Sequence, residues 1–376
     1  MIDLFRPFVS PAAKTAVAEV LTPDSDGRIY LGEGPKVAEF EQGFQSLTGF
    51  RALALNSGTS ALELALYLTG VQIGTDVVTT AMTCTATNGA IRRLRGTPVW
   101  ADVDPLTGLI DPDDVVRKVT RRTKAIMAVD WAGKSASYNQ IRRRLPDIPI
   151  IQDAAHNLLV DPKNHGDYIC WSFQAIKHLT TGDGGALHVP ERQHERARLL
   201  RWYGLDRTSG TDFRCAQNIT EAGWKAHMND IAASIGLANL PHALRVVALH
   251  RANAAWYEKA FYGINPNKVI LPAGDAGSSW WLYTLLVDDR PSFQAHMADK
   301  GIMVSPVHKR NDGHTAFRFP NGPLPGLDYF DSHEVAIPVG WWVGEQDREH
   351  VAAAVWEWTT KEAGVETPAP ELAATA

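Results

Sequence analysis

A lysine, an aspartate and a turn rich in hydroxyls are spaced along this chain in a way that could do carbonyl chemistry. The stretch SFQAIKHLTTGDGG (172–185) places Lys177 behind an apolar run, five residues after Ser172 and just ahead of Gly182, Gly184 and Gly185. A lysine that follows a buried strand loses solvation, so its pKa falls. The neutral amine can then form an imine with a carbonyl. By itself Lys177 reads as a surface lysine on a loop, as most lysines are. Asp153 closes the apolar run IPIIQD, where a carboxylate can hold a positive charge at the edge of a sheet. Alone, it reads as a helix cap or an ion pair, which is how most isolated aspartates at strand ends are used. The turn NSGTSAL (56–62) opens a helix, and the N–H groups and dipole of a helix start suit a phosphate. Thr59 and Ser60 add hydroxyls there, although such residues are also ordinary caps. Ser172 can add a further donor, and the three glycines allow tight turning, where otherwise they make a plain loop. Together these pieces make a phosphate cradle, a partner for a ring nitrogen and an imine-forming lysine, the set that a pyridoxal phosphate enzyme requires.

The elements that must position these residues alternate. Val37, Phe40, Phe44 and Leu47 have helical spacing within residues 34–48. Strands are expected at 51–55, 76–80, 97–103, 124–130, 148–153, 168–174 and 184–189, with helical segments between several of them. This alternation implies a mostly parallel sheet covered on both faces, with ligands outside the carboxyl ends of the strands. Residues 206–229 read as polar and irregular. A long helical region is expected from Asp230 to Phe261, broken or kinked at Pro241. Beyond about residue 265 the pattern predicts strands at 278–287 and 301–308 flanking a helix, and a last helix over 345–362. The expected division is a large α/β domain over 1–245, a small α+β domain over 246–365, and a disordered tail over 366–376.

The chain has 376 residues, enough for two domains. Apolar residues make up 45% and charged residues 21%, as in an ordinary soluble globular protein. A formal net charge of −5 gives no electrostatic reason to expect nucleic acid or an anionic membrane as partner. No secretory signal and no apolar run of membrane-spanning length is apparent. Cys84, Cys170 and Cys215 lie in no zinc or redox spacing and are read as free thiols in a reducing cytoplasm, with no metal site.

The chain also resembles the DegT-type nucleotide-sugar aminotransferases, a branch of the fold-type-I pyridoxal phosphate enzymes. The matching stretches are GEGPKVAEFEQGF, LNSGTSALELAL, GTPVWADVDPLTGLID, RTKAIMAVDWAG, IIQDAAH, HGDYICWSFQAIKHLTTGDGG, HMNDIAASIGLANL and VAIPVGW. They run from about residue 32 to 342. The resemblance implies the aspartate aminotransferase-like fold, with pyridoxal 5′-phosphate as cofactor and pyridoxamine 5′-phosphate as its intermediate form. It implies that Lys177 forms the imine and moves the proton, that Asp153 pairs with the pyridine nitrogen, and that His156 lies near the ring's oxygen. Thr59, Ser60 and Ser172 would hold the phosphate. Cys84 would lie against the cofactor ring, where the family commonly has a stacked aromatic residue, so stacking is smaller or comes from elsewhere. Lys225 and Asn229 would be cofactor-binding residues, Lys225 standing where many members have an asparagine that contacts the partner's phosphate. His308 would approach the sugar, and Trp131 either lines the substrate site or packs. His178 reads as a structural neighbour. The family is dimeric, with a shared active site.

The expected reaction passes an amino group from an amino acid, by resemblance L-glutamate, to a ketone on a nucleotide-linked deoxyhexose. Rival readings are a keto-cyclitol aminotransferase, a regulatory protein that keeps the cofactor without turnover, and a structural α/β protein with no cofactor.

Overall fold

The computed structural model describes residues 1–210, 214–272, 277–319 and 322–361. Helices α1 (Ala12–Val20) and α2 (Pro35–Thr48) precede an alternating run of strands and helices. That run comprises β1 (Ala52–Leu55), α3 (Gly58–Leu68), β2 (Asp76–Thr80), α4 (Thr85–Arg93), β3 (Thr97–Ala101), α5 (Pro112–Lys118), β4 (Thr123–Val129), α6 (Tyr138–Arg144), β5 (Ile150–Asp153), β6 (Tyr168–Ser172), β7 (Gly185–His188) and α7 (Glu191–Leu200). The strands form one seven-stranded sheet in the order β1-β7-β6-β5-β4-β2-β3. The pairings from β3 through β6 are parallel, while β7 runs antiparallel to both β6 and β1. Every residue of β1, β2 and β5 is buried, as in a sheet covered on both faces. One face packs on α3, α4 and α7 through Leu62, Leu66, Ile91 and Leu200. The other packs on α2 through Phe40, Phe44, Trp171 and Phe173, and each such buried ring contributes about 1.5–3 kcal/mol.

The antiparallel β6–β7 pair explains where Lys177 can go. An antiparallel neighbour needs no crossover helix. The connection 173–184 is therefore free to fold back over the carboxyl end of β6.

Helix α8 (Asp230–Asn239) and helix α9 (Ala243–Ala260) are joined by a 3-10 turn over Leu240–His242 that contains Pro241, which is the kink expected from the missing N–H of proline. Taken as one, Asp230–Ala260 is 31 residues long with a mean hydropathy of 1.3 in its most apolar window, enough by length and composition to cross a membrane. This differs from the sequence expectation. In the fold, α8 packs against α1 and α2, and core helices of globular proteins share that composition.

A second layer follows, with strands β8 (Val269–Ile270) and β9 (Tyr283–Val287), helices α10 (Arg290–Asp299) and α11 (Pro325–His333), strand β10 (Glu334–Ile337) and helix α12 (Glu345–Lys361). Its antiparallel sheet has the order β10-β9-β8. Tyr257, Phe261, Phe293, Met297, Val351 and Val355 fill its core. The strand expected at 301–308 does not form. Only Ile302 and Ser305 make isolated bridges, to Ile2 and Ala336. Pro306 lacks an N–H, and Val307 takes a φ of 64°, a conformation that a β-branched residue rarely adopts. The place beside β9 goes to β10 instead. The strand expected at 278–287 begins only at Tyr283, which leaves residues 278–282 free to cross to the first sheet. The tail expected over 366–376 lies outside the described residues.

The two layers meet at an apolar cluster of Leu4, Met82, Trp100, Trp131, Trp281, Leu282, Leu327 and Phe330. A strap over residues 2–10 ties them together. The Ile2 N–H donates to the Gly301 carbonyl at 2.8 Å, and the indole N–H groups of Trp342 and Trp341 donate to Asp3 O at 2.8 Å and Arg6 O at 3.2 Å. Further on, the Ser10 N–H donates to Asn239 Oδ1 on α8 at 2.8 Å. Residues 2–6, expected within the 1–245 unit, thus pack on the second layer.

Candidate active site

A cavity of 460 Å³ opens at the carboxyl ends of β4, β5 and β6, where Val129, Asp153 and Ser172 stand on its wall beside the start of α3. This is the position in which open α/β sheets hold ligands.

The turn before α3 is built tightly. Ser57 caps the helix, its Oγ accepting from the Ser60 N–H at 3.1 Å. In the sheet register Gly185 stands opposite both Leu55 and Ser172. A Cβ on Gly185 would come within 2.5 Å of the Ser57 carbonyl carbon, and one on Gly58 within 2.9 Å of Ser172 Cβ. No side chain fits at either place, so the ends of β1, β6 and β7 close on the turn. Ser57, Gly58, Thr59 and Ser172 line the cavity together. A helix start with added hydroxyls is an anion site by its chemistry. Among the glycines of the 173–184 connection, Gly182 carries a φ of 83°, the left-handed turn that glycine permits without strain.

Asp153 is 4% exposed. Its Oδ2 accepts from Thr87 Oγ1 at 2.8 Å and its Oδ1 from the Ala155 N–H at 3.1 Å. Burial pushes its pKa up, while Thr87, Ala155 and Lys177 pull it down. A bound cation would hold it ionised. Lys177 faces the same cavity. Burial pushes its pKa down to about 7, against the opposing pull of Asp153 and Cys84. About half of these amines are thus neutral at pH 7, where an ordinary lysine is almost wholly protonated.

Four rings crowd this end of the cavity. Trp281 stacks on His156 with centroids 3.9 Å apart, and Lys177 Nζ lies 3.4 Å from the Trp281 ring centroid. Trp131 meets His156 and His308 edge-on, at 5.9 Å each. Burial lowers the pKa of both histidines, that of His308 to about 4, so both are neutral. Among the described residues, His156 Nδ1, His308 Nε2 and Trp131 Nε1 are buried without a hydrogen-bond partner. Such atoms leave capacity for a polar ligand.

Of the residues singled out in the sequence, Thr59, Cys84, Asp153, His156, Ser172, Lys177 and His308 meet at this one cavity. Four do not reach it. Ser60 turns its hydroxyl back to Asn56 Oδ1 at 2.7 Å. Trp131 is 1% exposed and packs behind the histidines. Lys225 is exposed, with only its carbonyl near the turn, 3.2 Å from Asn56 Nδ2. Asn229 caps α8, its Oδ1 accepting from the Ala232 N–H at 2.8 Å. Sequence reasoning missed Thr87, Phe5 and Trp281. Thr87 lies within an unremarkable helix. Trp281 had a signal, because SSWW puts two adjacent bulky rings at the start of a strand that should alternate.

Known proteins resemble the chain over nearly its full length. The profile of the DegT/DnrJ/EryC1/StrS aminotransferase family matches residues 12–355. AtS13 from Actinomadura melliaura is 40% identical and superposes with a TM-score of 0.88, covering 95% of this chain and 98% of that one. The sugar aminotransferase CalS13 from Micromonospora echinospora is 34% identical, with a TM-score of 0.87 over 95% and 100% of the two chains. PseC from Helicobacter pylori, an aminotransferase involved in the biosynthesis of pseudoaminic acid, is 25% identical with a TM-score of 0.85 over 95% and 99%.

Proposed function

The chain belongs to the DegT/DnrJ/EryC1/StrS aminotransferase family, and from that premise we propose that it uses pyridoxal 5′-phosphate to move an amino group from L-glutamate to a ketone on a nucleotide-linked deoxyhexose. The observation that carries this reading is the meeting of Lys177, Asp153 and the α3 turn at one cavity.

The residues fit the cofactor. The donors at Ser57, Gly58, Thr59 and Ser172 suit its phosphate, in a turn too tight for any further side chain. Asp153, buried and held by Thr87, suits a protonated ring nitrogen. His156 Nδ1 has its hydrogen-bonding capacity free, which suits a ring oxygen. When bound, pyridoxal phosphate supplies an aldehyde that carries the amino group and a ring that withdraws electrons from the substrate carbon.

The chain's own groups do the rest. Lys177 Nζ, depressed to about 7, is basic enough to take a proton and acidic enough to return it near neutral pH. Asp153 keeps negative charge at the strand end, where positive charge must be held. The helix start and its hydroxyls orient the phosphate end. The neutral ring of His308 offers a polar atom toward the acceptor, and neither it nor His156 adds charge beside Lys177. Lys225 and Asn229 are exposed and do not line this chain's cavity, which supports a reading in which a second copy receives them. A homodimer by sedimentation is the corresponding expectation.

The deciding experiment is the visible spectrum of purified protein with added pyridoxal phosphate, before and after L-glutamate. The reading requires a visible band that bleaches with glutamate and is missing in Lys177→Ala. Restoration of the band by a nucleotide-linked keto sugar identifies the acceptor. Restoration by a keto-inositol alone would overturn the nucleotide-sugar assignment, and a missing band would overturn the whole.

A further inference from the structure

Trp281 comes from the second layer but ends against Lys177. It is 3% exposed. Its ring lies under the Lys177 amine at 3.4 Å, and its indole N–H donates at 3.0 Å to the carbonyl of Ile176, the residue before that lysine. Ring, lysine backbone and amine are therefore one mechanical unit. Phe5 stacks on Trp281 with centroids 5.0 Å apart and an interplanar angle of 26°, and both rings line the cavity. Phe5 is itself fixed on either side. Ile2 bonds to Gly301 and Met303, Asp3 and Arg6 accept from Trp342 and Trp341, and Phe8 packs edge-on against Trp341 at 5.3 Å.

We propose that Phe5 and Trp281 form an aromatic cover over the Lys177 amine, and that both are positioning residues for it. The proposal rests on the reading of Lys177 as the reactive amine. Two effects of the cover oppose each other. A ring face attracts an ammonium, but a dry aromatic wall also strips its water, which favours the neutral form. Burial is the largest influence on Lys177, so loss of the cover raises its pKa. The titratable groups facing the amine are Asp153, Cys84, His156, His178 and His308, and neither covering ring is among them.

The test is competitive acetylation of Lys177 by trace acetic anhydride in cofactor-free protein, read by peptide mass spectrometry across about pH 5.5–10. The midpoint is the readout, because opening the site raises the rate at every pH. The parent should titrate at about 7. Trp281→Ala should move the midpoint up by about one unit, a tenfold loss of neutral amine at low pH. Phe5→Ala should move it in the same direction by less, and Trp281→Phe should stay near the parent. If Trp281→Ala does not fold, Phe5→Ala decides, since its strap keeps its backbone bonds. Unchanged midpoints in folded alanine variants overturn the proposal. A midpoint that moves in a protein giving no visible band with pyridoxal phosphate would keep the cover and overturn only the assigned chemistry.

Discussion

Asp153 depends on a neighbour 66 positions away. Thr87 Oγ1 donates to its Oδ2 and is the strongest influence holding its pKa down against burial. Thr87→Val keeps the shape and removes the donor. A hydrogen bond to a charged group is worth about 1.5–3 kcal/mol, so kcat/KM should fall roughly tenfold to a hundredfold. The acid limb of its pH profile should move upward, because Asp153 must then lose its proton at higher pH. Steady-state kinetics across pH checks both. Lys177 gives the opposite sign. Its depressed pKa makes the amine neutral above about 7, so uptake of pyridoxal phosphate by cofactor-free protein should rise about tenfold per pH unit below that value and level off above it. Stopped-flow growth of the visible band measures this. At this scale Lys177, Asp153 and Ser172 were legible, because each closes or follows an apolar run. Thr87, Phe5 and Trp281 were not, since their roles exist only through contacts between distant segments.

Elements set how closely these side chains approach. The ends of β1, β6 and β7 pinch the Ser57–Gly58 turn so that a Cβ on Gly185 would overlap backbone atoms. Gly185→Ala must push the turn away. A loss of about 1–3 kcal/mol in stability is expected from overpacking, with more than tenfold weaker cofactor binding, read by denaturant melts and by titration with pyridoxal phosphate. The strands of the first sheet were legible in the sequence because most of their residues are buried and they read as short, mainly apolar runs. The strand expected at 301–308 was not there, for a local reason. The His308 N–H donates to the Pro306 carbonyl at 2.7 Å across Val307, a γ-turn of the rare positive-φ kind. Apolar composition could not reveal a turn whose effect is to bring His308 to the cavity.

The whole molecule is two sheets with a shared apolar junction, and the alternation of elements implied the first but not its strand order. Nor did it disclose Glu334. This residue is fully buried at the start of β10, and neither carboxylate oxygen has a hydrogen-bond partner among the described residues. Burial pushes its pKa well above the ordinary carboxylate value. The folded state therefore binds a proton that the unfolded chain releases, so this contribution to stability is lost as pH rises from about 4.5 through the folded-state pKa. Glu334→Gln should remove that slope. Its melting temperature should match the parent's at about pH 4 and exceed it by a few degrees at about pH 8, as calorimetry at the two pH values would show.

The strap has a consequence in time. Asp3 and Arg6 find their partners in Trp342 and Trp341, 339 and 335 positions later. At synthesis rates of about 5–20 residues per second, Asp3 waits roughly 20–70 s before Trp342 has been made. Lys177, Asp153 and the α3 turn are all translated during that interval. The nascent chain can thus complete the first sheet and its cofactor cradle while the Phe5 side of the site still stands open. Loading can precede closure, although the segment that completes the wall is made before the rest of the site it closes.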